Sequence, residues 1–201
     1  MNPLEGLASV ILTQRRELAE LIGFETRNKY EIRDPEGRSI GFCAEQRAGL
    51  FGALMRYFLG HWRSFELHFF DARRQLMLQA KHPFRIFFQR LEVCLPDGQY
   101  LGAIQQKFGI FRKRFDLENE SGQVILHMES GFFSFWTFPI FRGHQEVAAI
   151  QKRWSGFLTE VFTDGDNFFV KFSPLLQTNE RWLVLVASVF VDLQYFEKKA
   201  G

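Results

Sequence analysis

Trp182-Leu183-Val184-Leu185-Val186-Ala187-Ser188-Val189-Phe190-Val191-Asp192-Leu193-Gln194-Tyr195-Phe196 is apolar almost all the way round the helix it would form, broken only by Ser188, Asp192 and Gln194. Such a helix is buried, either in protein or in membrane, and periodicity alone does not separate the two. Length and charge do more. The stretch covers 15 residues (196 − 182 + 1), whereas a bilayer span needs about 20, and an Asp near its centre would cost about 2.5–3.5 kcal/mol. The protein interior is the better home. At 1.5 Å per residue the helix would be about 22 Å long, the height of strands of about 6–7 residues. The expectation is therefore a β-barrel plugged by a C-terminal helix over 180–198.

The sequence upstream supplies the strands. Tyr30 and Ile32, then Ile40 and Phe42, alternate with polar neighbours on either side of Asp34-Pro35-Glu36-Gly37, which reads as a hairpin. Further turn signals stand at Asp71-Ala72-Arg73-Arg74, Pro96-Asp97-Gly98, Asn119-Glu120-Ser121-Gly122 and Asp164-Gly165-Asp166-Asn167, with short β-branched or aromatic runs between them. Repeated short strands indicate a sandwich or barrel. At the N-terminus, Leu4, Leu7, Ala8, Ile11, Leu18 and Ile22 recur at helical spacing between Asn2-Pro3 and Gly23, which predicts an amphipathic helix over 1–23 ahead of a barrel domain over 24–201.

Composition narrows the function. With 46% hydrophobic and 24% charged residues the chain can fill a full-sized core, and no Pro, Ser or Gly-rich linker divides it. The net charge of +2 gives little support to a nucleic-acid partner but tolerates an anionic lipid surface. Phenylalanine is the anomaly, at 25 residues against 4 Trp and 4 Tyr: it has no polar handle, so it packs a core or enters lipid. Cys43 and Cys94 form no disulfide framework and lack metal-ligand spacing. Glu5 precedes the first apolar run where a secretory signal would carry a basic region, so the chain is expected to remain inside the cell.

The sequence has no Walker loop, dinucleotide fingerprint or H-E-x-x-H, and its five histidines, His61, His68, His82, His127 and His144, stand singly. No covalent catalysis and no organic cofactor are expected.

Gly23-Phe24-Glu25-Thr26-Arg27-Asn28-Lys29-Tyr30-Glu31-Ile32 and Trp154-Ser155-Gly156-Phe157-Leu158-Thr159-Glu160-Val161-Phe162-Thr163-Asp164-Gly165-Asp166-Asn167-Phe168 resemble the phospholipid scramblase family, which carries a GFET-x-NKYEI entry and a W-[ST]-G-x-L-x-E-x-FTD-x-DNF signature. The resemblance runs from about Leu7 to Glu197, without the family's Pro-rich N-terminal extension. It implies a Tubby-like fold, a twelve-stranded closed antiparallel barrel threaded by the C-terminal helix. It also implies ATP-independent, bidirectional movement of phospholipids between leaflets, usually calcium-stimulated, by a protein on the cytoplasmic face of a membrane. The alternative is a phosphoinositide-binding or lipid-binding adaptor that moves no lipid.

The resemblance places a calcium loop from Asp164 through Asp166 to a closing acidic residue at its twelfth position, which here is Leu175. Calcium requires six to eight oxygens, so the set is short, and Asp-Gly-Asp-Asn also reads as a plain turn. Where many relatives carry cysteine clusters, one of them palmitoylated, this chain has residues 50–62, Phe84 to Phe88, and Phe132-Phe133-Ser134-Phe135-Trp136. In the first, Leu50, Leu54, Phe58 and Trp62 share a helical face, with Phe51 beside them and Arg47, Arg56 and Arg63 on or near it, the composition of an interfacial helix; barrel packing is the alternative. The basic run Lys107, Arg112, Lys113 and Arg114 around Gly109 reads as a solvated face, or as a holder of anionic headgroups.

Overall fold

In the computed structural model the described residues are 3–15, 28–46, 64–131, 136–153 and 167–196. They form twelve strands and one long helix: β1 (Ser9–Gln14), β2 (Lys29–Arg33), β3 (Ser39–Glu45), β4 (Phe65–Asp71), β5 (Leu76–His82), β6 (Arg90–Cys94), β7 (Tyr100–Lys107), β8 (Arg114–Glu118), β9 (Val124–Glu129), β10 (Thr137–Arg142), β11 (Gln145–Arg153), β12 (Asn167–Phe172) and α1 (Thr178–Tyr195). Each strand pairs antiparallel with its neighbour in sequence, and β1 closes the cylinder on β12, Val10 opposite Val170.

Period-two alternation decides which face of each strand points inward. In β4, Phe65, Leu67 and Phe69 are buried while Glu66, His68 and Phe70 lie outside; in β8, Phe115 and Leu117 are buried between Arg114, Asp116 and Glu118. The outer wall is laced with ion pairs, among them Arg90 with Glu118 at 2.8 Å and Lys107 with Asp116 at 3.4 Å.

The inner faces meet α1, which is buried without interruption from Glu180 to Leu193. Its first turn is fixed by polar contacts. The Glu180 carboxylate accepts from the Gln177 backbone N–H at 2.7 Å and from Arg142 at 2.6 Å, and the Arg181 guanidinium donates to the carbonyls of Leu7 at 2.6 Å and of Leu4 and Ser173 at 3.3 Å. Gly102 lets the wall approach the helix: it has φ +153, and a Cβ there would strike the Glu118 carbonyl and meet Leu183 Cδ1 at 3.2 Å. Of the five predicted turns, those at 34–37, 71–74, 96–98 and 119–122 each join consecutive strands, and 164–166 of the fifth lie outside the described residues.

The N-terminal reading needs correction. Residues 9–14, expected within a helix, form β1, hydrogen-bonded on both edges to β12 and β2. Ser-Val-Ile-Leu-Thr-Gln is rich in β-branched residues, which fit a half-buried strand, and pairing on both sides satisfies backbone groups that an open barrel would leave bare. Residues 3–8, also expected in that helix, form turns and a bend, and 1–2 and 16–23 lie outside the described residues.

Candidate functional site

The strand directions sort the connections onto two rims. At one rim the links are tight: 34–38, 72–75, 95–99, 119–123 and 143–144, together with 173–177 leading into α1. At the other rim the segments 15–28, 46–64, 83–89, 108–113, 130–136 and 154–166 start and finish, because Gln14 lies opposite Tyr30, Phe65 opposite His82, Lys107 opposite Arg114 and Arg153 opposite Asn167. The helix enters at the tight rim and delivers Tyr195 and Phe196 to the loop rim. Every candidate lipid-contacting residue read from the sequence belongs to a segment anchored at this second rim.

Not all of them can be followed. Leu50, Phe51, Leu54, Phe58 and Trp62, and the aspartates Asp164 and Asp166, lie outside the described residues. The basic run is visible, and the structure divides it. Lys107 and Arg114 end β7 and begin β8, and Arg112 joins them at the rim; all three are exposed, and each contacts an acid: Lys107 Asp116, Arg112 Glu129 at 2.8 Å and Arg114 Glu129 at 3.7 Å. Lys113 turns the other way. Its Nζ sits 3.8 Å from the centre of the Tyr195 ring and 5.0 Å from that of Phe196, so this cation caps the end of α1.

Beneath the rim lies a polar cluster that the sequence did not disclose. The Tyr30 hydroxyl donates to Asp192 Oδ2 at 2.7 Å, and Lys152 Nζ stands 3.7 Å from Asp192 Oδ1, with the Lys152 and Asp192 side chains only 2% and 1% exposed. Lys152 Nζ also faces the Phe196 ring at 4.2 Å. Asp192, the charge that argued against a membrane span, thus has its partners inside the barrel, supplied by β2 and β11. Nearby, burial pushes the Tyr195 phenol up to about 12 although Gln106 donates to it at 3.0 Å. Cys43 is fully buried and its thiol is raised well above its usual value by desolvation, then by Glu45, so it is an inert core residue.

β12 occupies most of the stretch from which the calcium loop is read. Six of the residues between Asp166 and Leu175 are β12 itself, Asn167 to Phe172, paired on one side with β1 and on the other with β11. Five steps of about 3.3 Å separate its ends by about 17 Å. Leu175 therefore lies beyond the tight rim, at the far end of β12 from Asn167, while Asp164 and Asp166 lie outside the described residues. Among the described residues no group of three His, Cys, Asp or Glu is placed to hold a metal ion. His82, buried and stacked on Phe65 at 4.6 Å, is a packing residue.

The loop rim also carries apolar side chains that the sequence reading undervalued. Phe87 is 76% exposed, Ile110 75% and Phe108 68%. The signal was available in Lys-Phe-Gly-Ile-Phe-Arg-Lys-Arg, where aromatic and aliphatic residues stand among cations at a turn.

Comparison with known proteins agrees with this architecture. A solved structure of a protein from Arabidopsis thaliana superposes with a TM-score of 0.54 over 96% of this chain and 94% of that one at 13% identity, which shows a shared fold. Phospholipid scramblase 1 of Mus musculus is 30% identical over 97% of this chain, and phospholipid scramblase family member 5 of Homo sapiens 29% identical over 96%. The chain spans 64% of the length of the mouse protein and 76% of the human one. A phospholipid scramblase family protein of Schizosaccharomyces pombe is 24% identical over 99% of this chain. The scramblase family model matches residues 1–198, the whole barrel together with its helix, and the chain accordingly belongs to the scramblase family.

Proposed function

We propose that this protein works at a phospholipid membrane, presenting its loop rim to the bilayer, and moves phospholipids between leaflets in both directions without ATP. The observation that carries the reading is family membership along residues 1–198; the gathering of basic and apolar side chains on one rim supports it. This points to a lipid translocator and not to an enzyme making or breaking covalent bonds. Among the described residues no helix is long and apolar enough to cross a membrane; α1 is enclosed by the barrel, so contact with lipid is assigned to the rim, and the proposal puts the protein on the cytoplasmic face.

Calcium is given a secondary part. Asp164 and Asp166 lack the closing oxygen that a twelve-residue loop would supply, so binding at these residues is weak, in the range of about 10⁻⁴–10⁻³ M typical of low-affinity sites, and the lipid-facing rim does not depend on it.

The second reading, a lipid- or phosphoinositide-binding module that moves no lipid, draws support from Lys107, Arg112 and Arg114 standing together at the rim. Reconstitution into vesicles with a fluorescent phospholipid in one leaflet separates the two. Faster exchange than in protein-free vesicles, with and without calcium, supports translocation; binding with no acceleration leaves the module.

A further inference from the structure

At one corner of the loop rim the segments 83–89 and 108–113 are neighbours, and 83–89 is braced against the end of β7, from which 108–113 springs. The Gln106 backbone N–H donates to the Gln89 carbonyl at 2.8 Å, the Gln89 N–H to the Gln106 side-chain oxygen at 3.0 Å, and the Gln105 amide to the Phe88 carbonyl at 3.0 Å. The Gln89 amide in turn holds the Arg85 carbonyl at 3.1 Å. Phe88 takes a left-handed φ of 51, a conformation that a bulky residue keeps only when its surroundings impose it. At Gly109 the turn is so tight that a Cβ would strike the Arg112 carbonyl. The two tips are fixed in shape.

What they present to solvent is apolar. Among the described residues nine large hydrophobic side chains are exposed, and seven of them lie on these two segments. Large apolar side chains gathered in the open on two neighbouring loops mark an interaction surface. Charge identifies the partner. Arg85 is exposed on the first segment, and Lys107, Arg112 and Arg114 are exposed around the second, against the carboxylates of Asp116 and Glu129, so the collar is net positive. An apolar tip above a cationic collar matches acyl chains beneath anionic headgroups. A symmetric contact with a second copy would instead bring collar against collar, like charge facing like.

We propose that segments 83–89 and 108–113 form a rigid wedge that enters an anionic bilayer, with Phe87, Phe108 and Ile110 in the acyl region and Arg85, Lys107, Arg112 and Arg114 among the headgroups. The proposal rests on the membrane reading above and is independent of whether lipid is translocated.

The test is co-flotation of the full chain with phosphatidylcholine vesicles and with the same vesicles carrying a minority of phosphatidylserine, for the parent and for the double variant Phe87→Ser, Ile110→Ser. Both side chains are exposed, so the variant should melt at the parent's temperature, yet bind anionic vesicles at least about tenfold more weakly, from the lost apolar transfer. A second variant, Lys107→Ser with Arg114→Ser, should lose the preference for phosphatidylserine while keeping residual binding. Equal flotation of parent and Phe87→Ser, Ile110→Ser overturns the wedge and leaves the membrane reading standing. A parent that floats with neither vesicle removes both. A parent that is dimeric by gel filtration, with a monomeric double variant of unchanged flotation, assigns the patch to self-association and likewise overturns the wedge.

Discussion

Ending the chain after Asn179 removes nearly all of α1 and empties the barrel. The helix's own side chains and the ordering entropy of its backbone leave the balance together; what remains is the wall. Leu12, Ile32, Leu67, Phe69, Leu78, Leu91, Ile104, Phe115, Leu117, Phe138, Ile140 and Val170 are each no more than 3% exposed in the intact protein, and all belong to the core that includes α1. Burial of one such side chain is worth about 1.5–3 kcal/mol, so if these twelve lose half of it the cost is about 9–18 kcal/mol, against a total stability of about 5–15 kcal/mol for a typical domain. The truncated chain is expected to be unfolded or aggregated, without a cooperative thermal transition by circular dichroism. A monomeric truncate with native strand content and a cooperative melt would refute the plug and with it the assignment of Asp192 to the interior.

Asp192→Ala should destabilise the protein by about 3 kcal/mol, because it removes the carboxylate beside the buried Lys152 amine, and Tyr30→Phe by about 1.5–3 kcal/mol; the double variant should cost less than the sum, measured by chemical denaturation. Tyr195 gives a pH signature: its folded pKa of about 12 exceeds the ordinary phenol value of 10.0, so between pH 10 and 12 the unfolded chain loses the phenolic proton first and stability falls by up to about 2–3 kcal/mol. That alkaline loss should shrink in Tyr195→Phe, followed by melting temperature. Calorimetric titration with calcium should show no binding tighter than about 10⁻⁴ M; micromolar affinity abolished by Asp164→Ala would show that oxygens from other segments complete the shell.

Much of this architecture was legible because two periods rarely mimic each other over many elements. The apolar run at Trp182 to Phe196 is too short and too charged for a bilayer and too apolar for a surface, which leaves an enclosure of matching height; α1 and a closed twelve-stranded wall meet that requirement. The N-terminus misled because Leu4, Leu7, Ala8 and Ile11 fit helical spacing while the same region holds Val10, Ile11 and Thr13, and the need to close β2 against β12 outweighed local pattern. The site was half legible. Basic residues around Gly109 could be listed, but that Lys113 folds back onto Tyr195 while Lys107, Arg112 and Arg114 face outward depends on a turn geometry no spacing rule reports. The Tyr30–Asp192–Lys152 cluster joins residues 162 apart in sequence for its hydrogen bond, so only the fold could reveal it.

The filled interior has a consequence for transport. Leu183 against Gly102, Phe190 against Phe115 and His82, and side chains all along α1, occupy the space that in a porin would be bore, so no phospholipid headgroup can be conducted through this cylinder. Lipid moved under the translocation proposal therefore runs around its exterior, through the bilayer itself. The rate of such traffic should then follow the mechanical properties of the membrane, its thickness and packing, more closely than the size of the headgroup that crosses.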